Sequence, residues 1–194
     1  MRSPVVDLLA DAAAAFREAG VPWYLFGAQA AILHGAARLT ADVDVTVRLP
    51  SAVTAIALTD VFRRHGFDPR FDTPAFTERT RVVPFVHRLT VIPLDVVLGG
   101  PGLEDVFLER ARSRDVDGVT IPVASAEDLI VMKILAGREK DLEDVRAVIA
   151  AQGPSLDAGY LRDTLGSLEG ALGQSDLLPA FESALHRANS FRNE

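Results

Sequence analysis

Phe26-Gly27-Ala28 and, after thirteen intervening residues, Asp42-Val43-Asp44-Val45-Thr46-Val47 are the stretches on which the reading of this chain turns. The second alternates strictly, so as a strand it sets Asp42, Asp44 and Thr46 on one face and three valines on the other. The first closes the apolar run Pro22-Trp23-Tyr24-Leu25-Phe26 on a glycine, which suits a buried strand, a tight turn and a short helix over residues 28–37. Carboxylates at i and i+2 on a strand stand roughly 7 Å apart, and at an effective dielectric of ~20 they repel by about 2 kcal/mol. Leu94-Asp95-Val96-Val97 brings a third carboxylate, inside a strand that otherwise reads as buried. If the two strands are neighbours, three negative charges converge, and a cation compensates them. Oxygen donors without histidine or thiol suit hard Mg²⁺ or Mn²⁺ rather than zinc. An ordinary half-exposed strand with a wet polar face accounts for Asp42 and Asp44 taken alone, but less readily for Asp95.

Working outward, Ser3-Pro4 starts a helix that runs to about Glu18 and stops at Gly20. A second helix is expected from Ser51 to about His65, then strands over residues 81–88 and 91–98, with Pro84 and Pro93 pushed toward edges or bulges. Leu103–Arg114 reads as helical, Asp117-Gly118 as a turn and Val119–Val123 as a last strand. Ser125, with Asp128 three residues on, opens what reads as one long helix to about Ala151, ended by Gly153-Pro154. Helical patterns at 156–168 and about 177–188 complete the chain. The expected fold is therefore α/β (α+β), a mixed sheet flanked by helices over residues 1–124 followed by a helical region over 125–194.

The composition is that of a globular protein: 194 residues, 48% hydrophobic and 24% charged, which excludes disordered, collagen-like and fibrous classes. The lack of cysteine excludes disulfides, thiolate metal sites and a cysteine nucleophile. Asp7 and Asp11 interrupt the first apolar stretch, so a secretory signal is not expected, and no run approaches a membrane span; the expected location is the cytoplasm. The net charge of −7 gives no long-range attraction to nucleic acid or an anionic membrane. Locally, Arg63, Arg64, Arg70, Arg79, Arg81 and Arg88 outnumber Asp68, Asp72 and Glu78, so this segment either holds a phosphate-bearing substrate or decorates an exposed hairpin. The glycine tracts near 99–102 and 166–170 match neither a nucleophile elbow nor a dinucleotide loop, and no Walker-type Gly-Lys-Ser/Thr occurs.

A strand ending in a hydrophobic residue and Gly-Gly/Ser, then Asp-x-Asp, then a later lone Asp on a strand, is the signature of the nucleotidyltransferase superfamily related to DNA polymerase β. Gly27-Ala28, Asp42-Val43-Asp44 and Asp95 resemble it. Within that superfamily, Gly27-Ala28-Gln29-Ala30-Ala31-Ile32-Leu33-His34-Gly35 and Arg38-Leu39-Thr40-Ala41-Asp42-Val43-Asp44 resemble the bacterial AbiEii-like nucleotidyltransferases, many of them toxins of toxin–antitoxin pairs. Glu127–Lys133 and Gly137–Val145 resemble the helical Lys and Lys/Arg-Asp-x-x-Asp motifs of that group, and the resemblance covers roughly Val21 to Ala150. It implies transfer of a nucleoside monophosphate from an NTP to an acceptor hydroxyl, with Asp42, Asp44 and Asp95 as ligands of Mg²⁺ or Mn²⁺. It further implies nucleotide contacts at Gly27, Ala28, Arg38, Thr40 and Lys133, and catalytic roles for Lys133 and Asp141. A tRNA 3′ end as acceptor and a cognate antitoxin as partner follow from the same likeness. An antibiotic, a partner protein, or a non-catalytic nucleotide-binding role are the alternatives. The chain departs from the pattern at Ala28, which offers an N–H but no hydroxyl to a phosphate.

Lys133, Gly137, Asp141 and Asp144 follow steps of four, four and three, so on one helix they share a face, with Lys133 and Asp141 ~12 Å apart. Such a face brings an ammonium to a triphosphate and lets Asp141 orient that lysine, a metal-bound water or Arg38; a solvated face with Lys140 and Asp144 paired at i, i+4 is the alternative. His34, on an apolar helix, reads as a packing residue.

Overall fold

Ser3 caps the first helix: its hydroxyl accepts from the Val6 N–H at 3.4 Å, and Gly20, at φ +64°, closes α1 (Pro4–Ala19). The computed structural model describes residues 2–40, 42–71 and 74–190, so Ala41 and Asp72 of the motifs above lie outside the described residues. After α1 come β1 (Trp23–Phe26), α2 (Gly27–Leu33), β2 (Val43–Val47), α3 (Ala55–Arg64), β3 (Phe67–Pro69) and α4 (Pro74–Thr80). Then follow β4 (Val82–His87), β5 (Pro93–Leu98), α5 (Leu103–Arg110), β6 (Arg112–Val116) and β7 (Val119–Val123). The last helices are α6 (Ala126–Ala136), α7 (Glu139–Gln152), α8 (Ala158–Leu172) and α9 (Leu177–Ser190). The chain divides into two units, Met1–Gln29 with Thr40–Ala124, and Ala30–Leu39 with Ser125–Glu194.

The first unit is built on a mixed seven-stranded sheet in the order β3-β4-β5-β2-β1-β7-β6. β2 runs parallel to β5 and β1 parallel to β7, while the other neighbours are antiparallel. Buried aromatic rings hold α1 and α3 to this sheet: Phe62 stacks on Phe85 at 4.7 Å between centroids and meets Phe16 edge-on at 4.8 Å, and Phe16 stacks on Trp23. Each such ring contributes about 1.5–3 kcal/mol by leaving water. This is the expected mixed α/β architecture flanked by helices. No helix among the described residues is long and apolar enough to cross a membrane.

Several local expectations give way. The helix expected from Ser51 starts at Ala55, because Thr54 takes the cap and accepts from the Ala57 N–H at 3.1 Å. The helix expected to reach Arg114 ends at Arg110, and Arg112–Val116 forms an edge strand against β7. Pro84 lies inside β4, which has a neighbour on each side, rather than on an edge. Its ring is tolerated because β3 has only three residues and its pairing runs out at Phe85, so the missing N–H falls where the ladder has ended.

In the second unit, α6 is buried almost all round, with Leu129, Ile130, Val131 and Ile134 in the core, and α7, α8 and α9 pack against it. Ser125 caps it through the Asp128 N–H at 3.1 Å, and the fully buried Asp128 carboxylate accepts from the Tyr160 hydroxyl at 2.7 Å. The single long helix expected here is in fact two. Gly137, at φ +63°, closes α6, and α7 starts afresh at Glu139.

Candidate active site

The parallel register of β2 and β5 places Asp44 directly opposite Asp95. Residues in register on neighbouring strands, ~4.8 Å apart, project to the same face, so the two half-buried carboxylates stand side by side. The row continues on both flanks, from Phe26 beside Asp44 to Pro84 beside Asp95. Asp42 sits one residue ahead of β2, exposed, and accepts from the Thr40 hydroxyl at 2.5 Å, so Thr40 is engaged with Asp42.

Gly27 opens α2 immediately after Phe26, at φ +67°. A Cβ built there would lie 2.2 Å from Asp44 Oδ2 and 2.9 Å from its Cβ, so the space a side chain would occupy holds the Asp44 carboxyl. The glycine is therefore required twice, by its backbone conformation and by the carboxylate beside it. Gly27→Ala is expected to cost about 1–3 kcal/mol through the left-handed backbone alone, and to displace Asp44 as well. A thermal melt falling by several degrees checks this.

Asp95 is ion-paired with Arg70, a residue the motif reading did not single out. The only sequence signal for it was membership of the arginine-rich segment. The other arginines there are mostly held by the protein itself: Arg63 on Asp60 at 3.1 Å, Arg64 on Glu18 at 2.6 Å, Arg88 on Asp68 at 3.2 Å, and Arg81 on the Leu98 carbonyl at 2.9 Å. As placed, the segment is largely a set of local pairs.

Among the described residues no group of three or more His, Cys, Asp or Glu side chains is gathered to hold a metal. The donor chemistry at Asp44 and Asp95 nevertheless fits a hard divalent cation. Mg²⁺ is commonly held by one or two carboxylates, with substrate phosphates and water completing its shell, rather than by an all-protein cage.

The second unit carries its own charged cluster. Because the chain breaks at Gly137 and α7 returns along α6, Lys133 and Asp141 are in contact rather than ~12 Å apart as one continuous helix would require. Lys133 Nζ donates to Asp141 Oδ1 at 3.2 Å and to Asp144 Oδ2 at 2.6 Å. Arg38 donates to the same Asp144 oxygen at 2.6 Å, and Arg138 pairs with the other oxygen of Asp141. Asp144 is thus taken by Arg38 and Lys133, not by Lys140. The Lys133 side chain is 6% exposed, against 25% for Arg38. His34 is buried in this unit, in keeping with a packing role.

Burial pushes the Asp141 carboxyl up, but the Arg138 hydrogen bond and the Lys133 charge outweigh it and leave the group below the ordinary aspartate value of 3.8. A carboxylate depressed in the folded state stabilises the protein above its unfolded-state value, and that contribution is lost as pH falls through the lower folded-state value. Asp141→Asn is therefore expected to flatten the decline of stability below about pH 4. Urea unfolding of both proteins between pH 5 and pH 3 checks it; equal slopes contradict it.

Solved structures resemble this chain in fold. A crystal structure of an antigenic nucleotidyltransferase-like protein from Paracoccidioides brasiliensis superimposes with a TM-score of 0.58 at 19% identity, covering 92% of this chain and 90% of that one. The solution structure of the antibiotic-resistance factor ANT(2″)-Ia gives a TM-score of 0.60 at 17% identity, covering 89% of this chain and 97% of the other. The crystal structure of ANT(2″)-Ia in complex with adenylyl-2″-tobramycin gives 0.58 at 17%, covering 85% and 98%. At such identities the likeness is one of fold. No curated protein matches the sequence. The model of one sequence family matches residues 17–165, and on that match the chain belongs to the family described as nucleotidyltransferase of unknown function (DUF6036).

Proposed function

We propose that the protein transfers a nucleoside monophosphate from an NTP to an acceptor hydroxyl, with a divalent cation at Asp44 and Asp95 and with Asp42 as a further ligand. The observation that carries this reading is the side-by-side register of Asp44 and Asp95 next to a glycine whose missing Cβ makes room for Asp44. Mg²⁺ or Mn²⁺, when bound, would supply positive charge to the phosphate oxygens. Asp95, at the acceptor side, takes the hydroxyl proton. The acceptor oxygen bonds to the α-phosphorus, and the bond from that phosphorus to the bridging oxygen of pyrophosphate breaks. Gly27 and Ala28 offer backbone N–H groups to the nucleotide, and Thr40 braces Asp42. In the second unit, Arg38 and Lys133 both hold Asp144, Arg38 as the more exposed of the two, and Asp141 holds Lys133 in turn.

The AbiEii-like motif favours a tRNA 3′ end as acceptor, within a toxin–antitoxin pair. A second reading, a polycationic small molecule such as an aminoglycoside, is favoured by the net charge of −7 and by the pairing of most arginines in the basic segment. Each α-labelled NTP is incubated with Mg²⁺, total tRNA or an aminoglycoside panel, beside Asp44→Ala. Label on tRNA that disappears in the variant supports the toxin reading, and label on the antibiotic supports the second. Intact nucleotide binding without transfer to any acceptor, including the protein itself, contradicts transferase activity.

A further inference from the structure

Pro69 pairs with Phe85 across β3 and β4, and the next N–H of the chain, that of Arg70, donates to the Pro84 carbonyl at 2.8 Å. Pro84 in turn lies opposite Asp95, which lies opposite Asp44. Pro84, Asp95 and Asp44 thus form one row across three strands and share a face, and Arg70, one residue past the end of β3, is tied to the end of that row by its N–H. The Arg70 guanidinium ends on Asp95. This guanidinium is a monovalent counter-ion placed against the same row as the two carboxylates. Both partners are about a third exposed, at 32% and 31%, which keeps the pair in contact with solvent and exchangeable.

We propose that Arg70 is a positioning residue of this centre: it holds Asp95 in the carboxylate row and competes with the divalent cation for that side chain. The inference rests on the cation reading of Asp44 and Asp95 given above. It follows that Arg70 sets the cation concentration at which the centre loads, and that loading releases the guanidinium from Asp95.

The test is Mn²⁺ binding to the full-length protein without nucleotide, followed by electron paramagnetic resonance, for wild type, Arg70→Gln, Arg70→Met, Asp95→Asn and the double variant Arg70→Gln/Asp95→Asn. Removing the competing cation is expected to tighten Mn²⁺ binding about three- to fivefold in both Arg70 variants. The tightening is expected to vanish in the double variant, because the arginine acts through Asp95. Unchanged or weaker binding in both Arg70 variants, or tightening that survives loss of Asp95, overturns the proposal while leaving the cation reading intact. If neither wild type nor the Arg70 variants bind Mn²⁺, the proposal and the cation reading fall together. Using two different replacements separates the lost charge from a local folding defect, which circular dichroism melts report independently.

Discussion

Asp44→Asn is expected to reduce nucleotidyl transfer by about 10³-fold, close to 4 kcal/mol of lost transition-state stabilisation, while the melting temperature stays within a few degrees of wild type. The substitution keeps the size and shape that fill the hollow at Gly27, so packing there survives. What it removes is one of two adjacent negative charges in the β2–β5 register. A single-turnover assay with the acceptor identified by labelling measures the loss. Asp44→Ala is a poorer probe, since it also empties the space beside Gly27. Near-wild-type transfer by Asp44→Asn would mean that Asp44 carries no charge used in the reaction.

Lys133→Met is expected to destabilise the protein by about 3 kcal/mol, since deleting one partner of a buried ion pair leaves uncompensated charge. For a chain of this size, that corresponds to a fall in melting temperature of roughly 6–12 °C. Two aspartates, both nearly inaccessible to water, converge on this ammonium from α7, so its removal strips charge compensation from both at once. Arg38 and Arg138 remain as partners, which keeps the loss at the lower end of the range for buried pairs. Nucleotide affinity, measured on the folded variant, is expected to hold, since the ammonium is already engaged by the two aspartates. A stable Lys133→Met protein that has lost nucleotide binding would instead make the ammonium a direct phosphate ligand.

The carboxylate row was legible where the chemistry is local. Strict alternation around Asp42 and Asp44 is a period-two signal, and Asp95 stood out because it breaks an apolar strand. Caps at Ser3 and Ser125 were readable for the same reason, since the capping side chain and the N–H that donates to it lie within one turn. Contacts set by the three-dimensional path were not. Arg70 meets Asp95 only because β3, β4 and β5 pair in a particular register, and nothing within the arginine's own neighbourhood distinguishes it from Arg63 or Arg88. The edge strand Arg112-Ser113-Arg114-Asp115-Val116 has no apolar alternation to reveal it, because almost all of it faces water. At Gly137 the helical spacing continued through the glycine, so periodicity alone concealed the break that brings Asp141 and Asp144 onto Lys133. Gly27 and Thr40 each adjoin an aspartate of the site: a Cβ at Gly27 would meet the Asp44 carboxyl, and the Thr40 hydroxyl donates to Asp42.

The most direct measurement is a crystal structure grown with Mn²⁺ and an α,β-methylene NTP, located by anomalous scattering. An anomalous peak bonded to the carboxylates of Asp44 and Asp95 and to the triphosphate, with Arg70 withdrawn from Asp95, is the predicted result. Nucleotide bound elsewhere, or bound with Asp95 still on Arg70 and no peak at the two carboxylates, would contradict it.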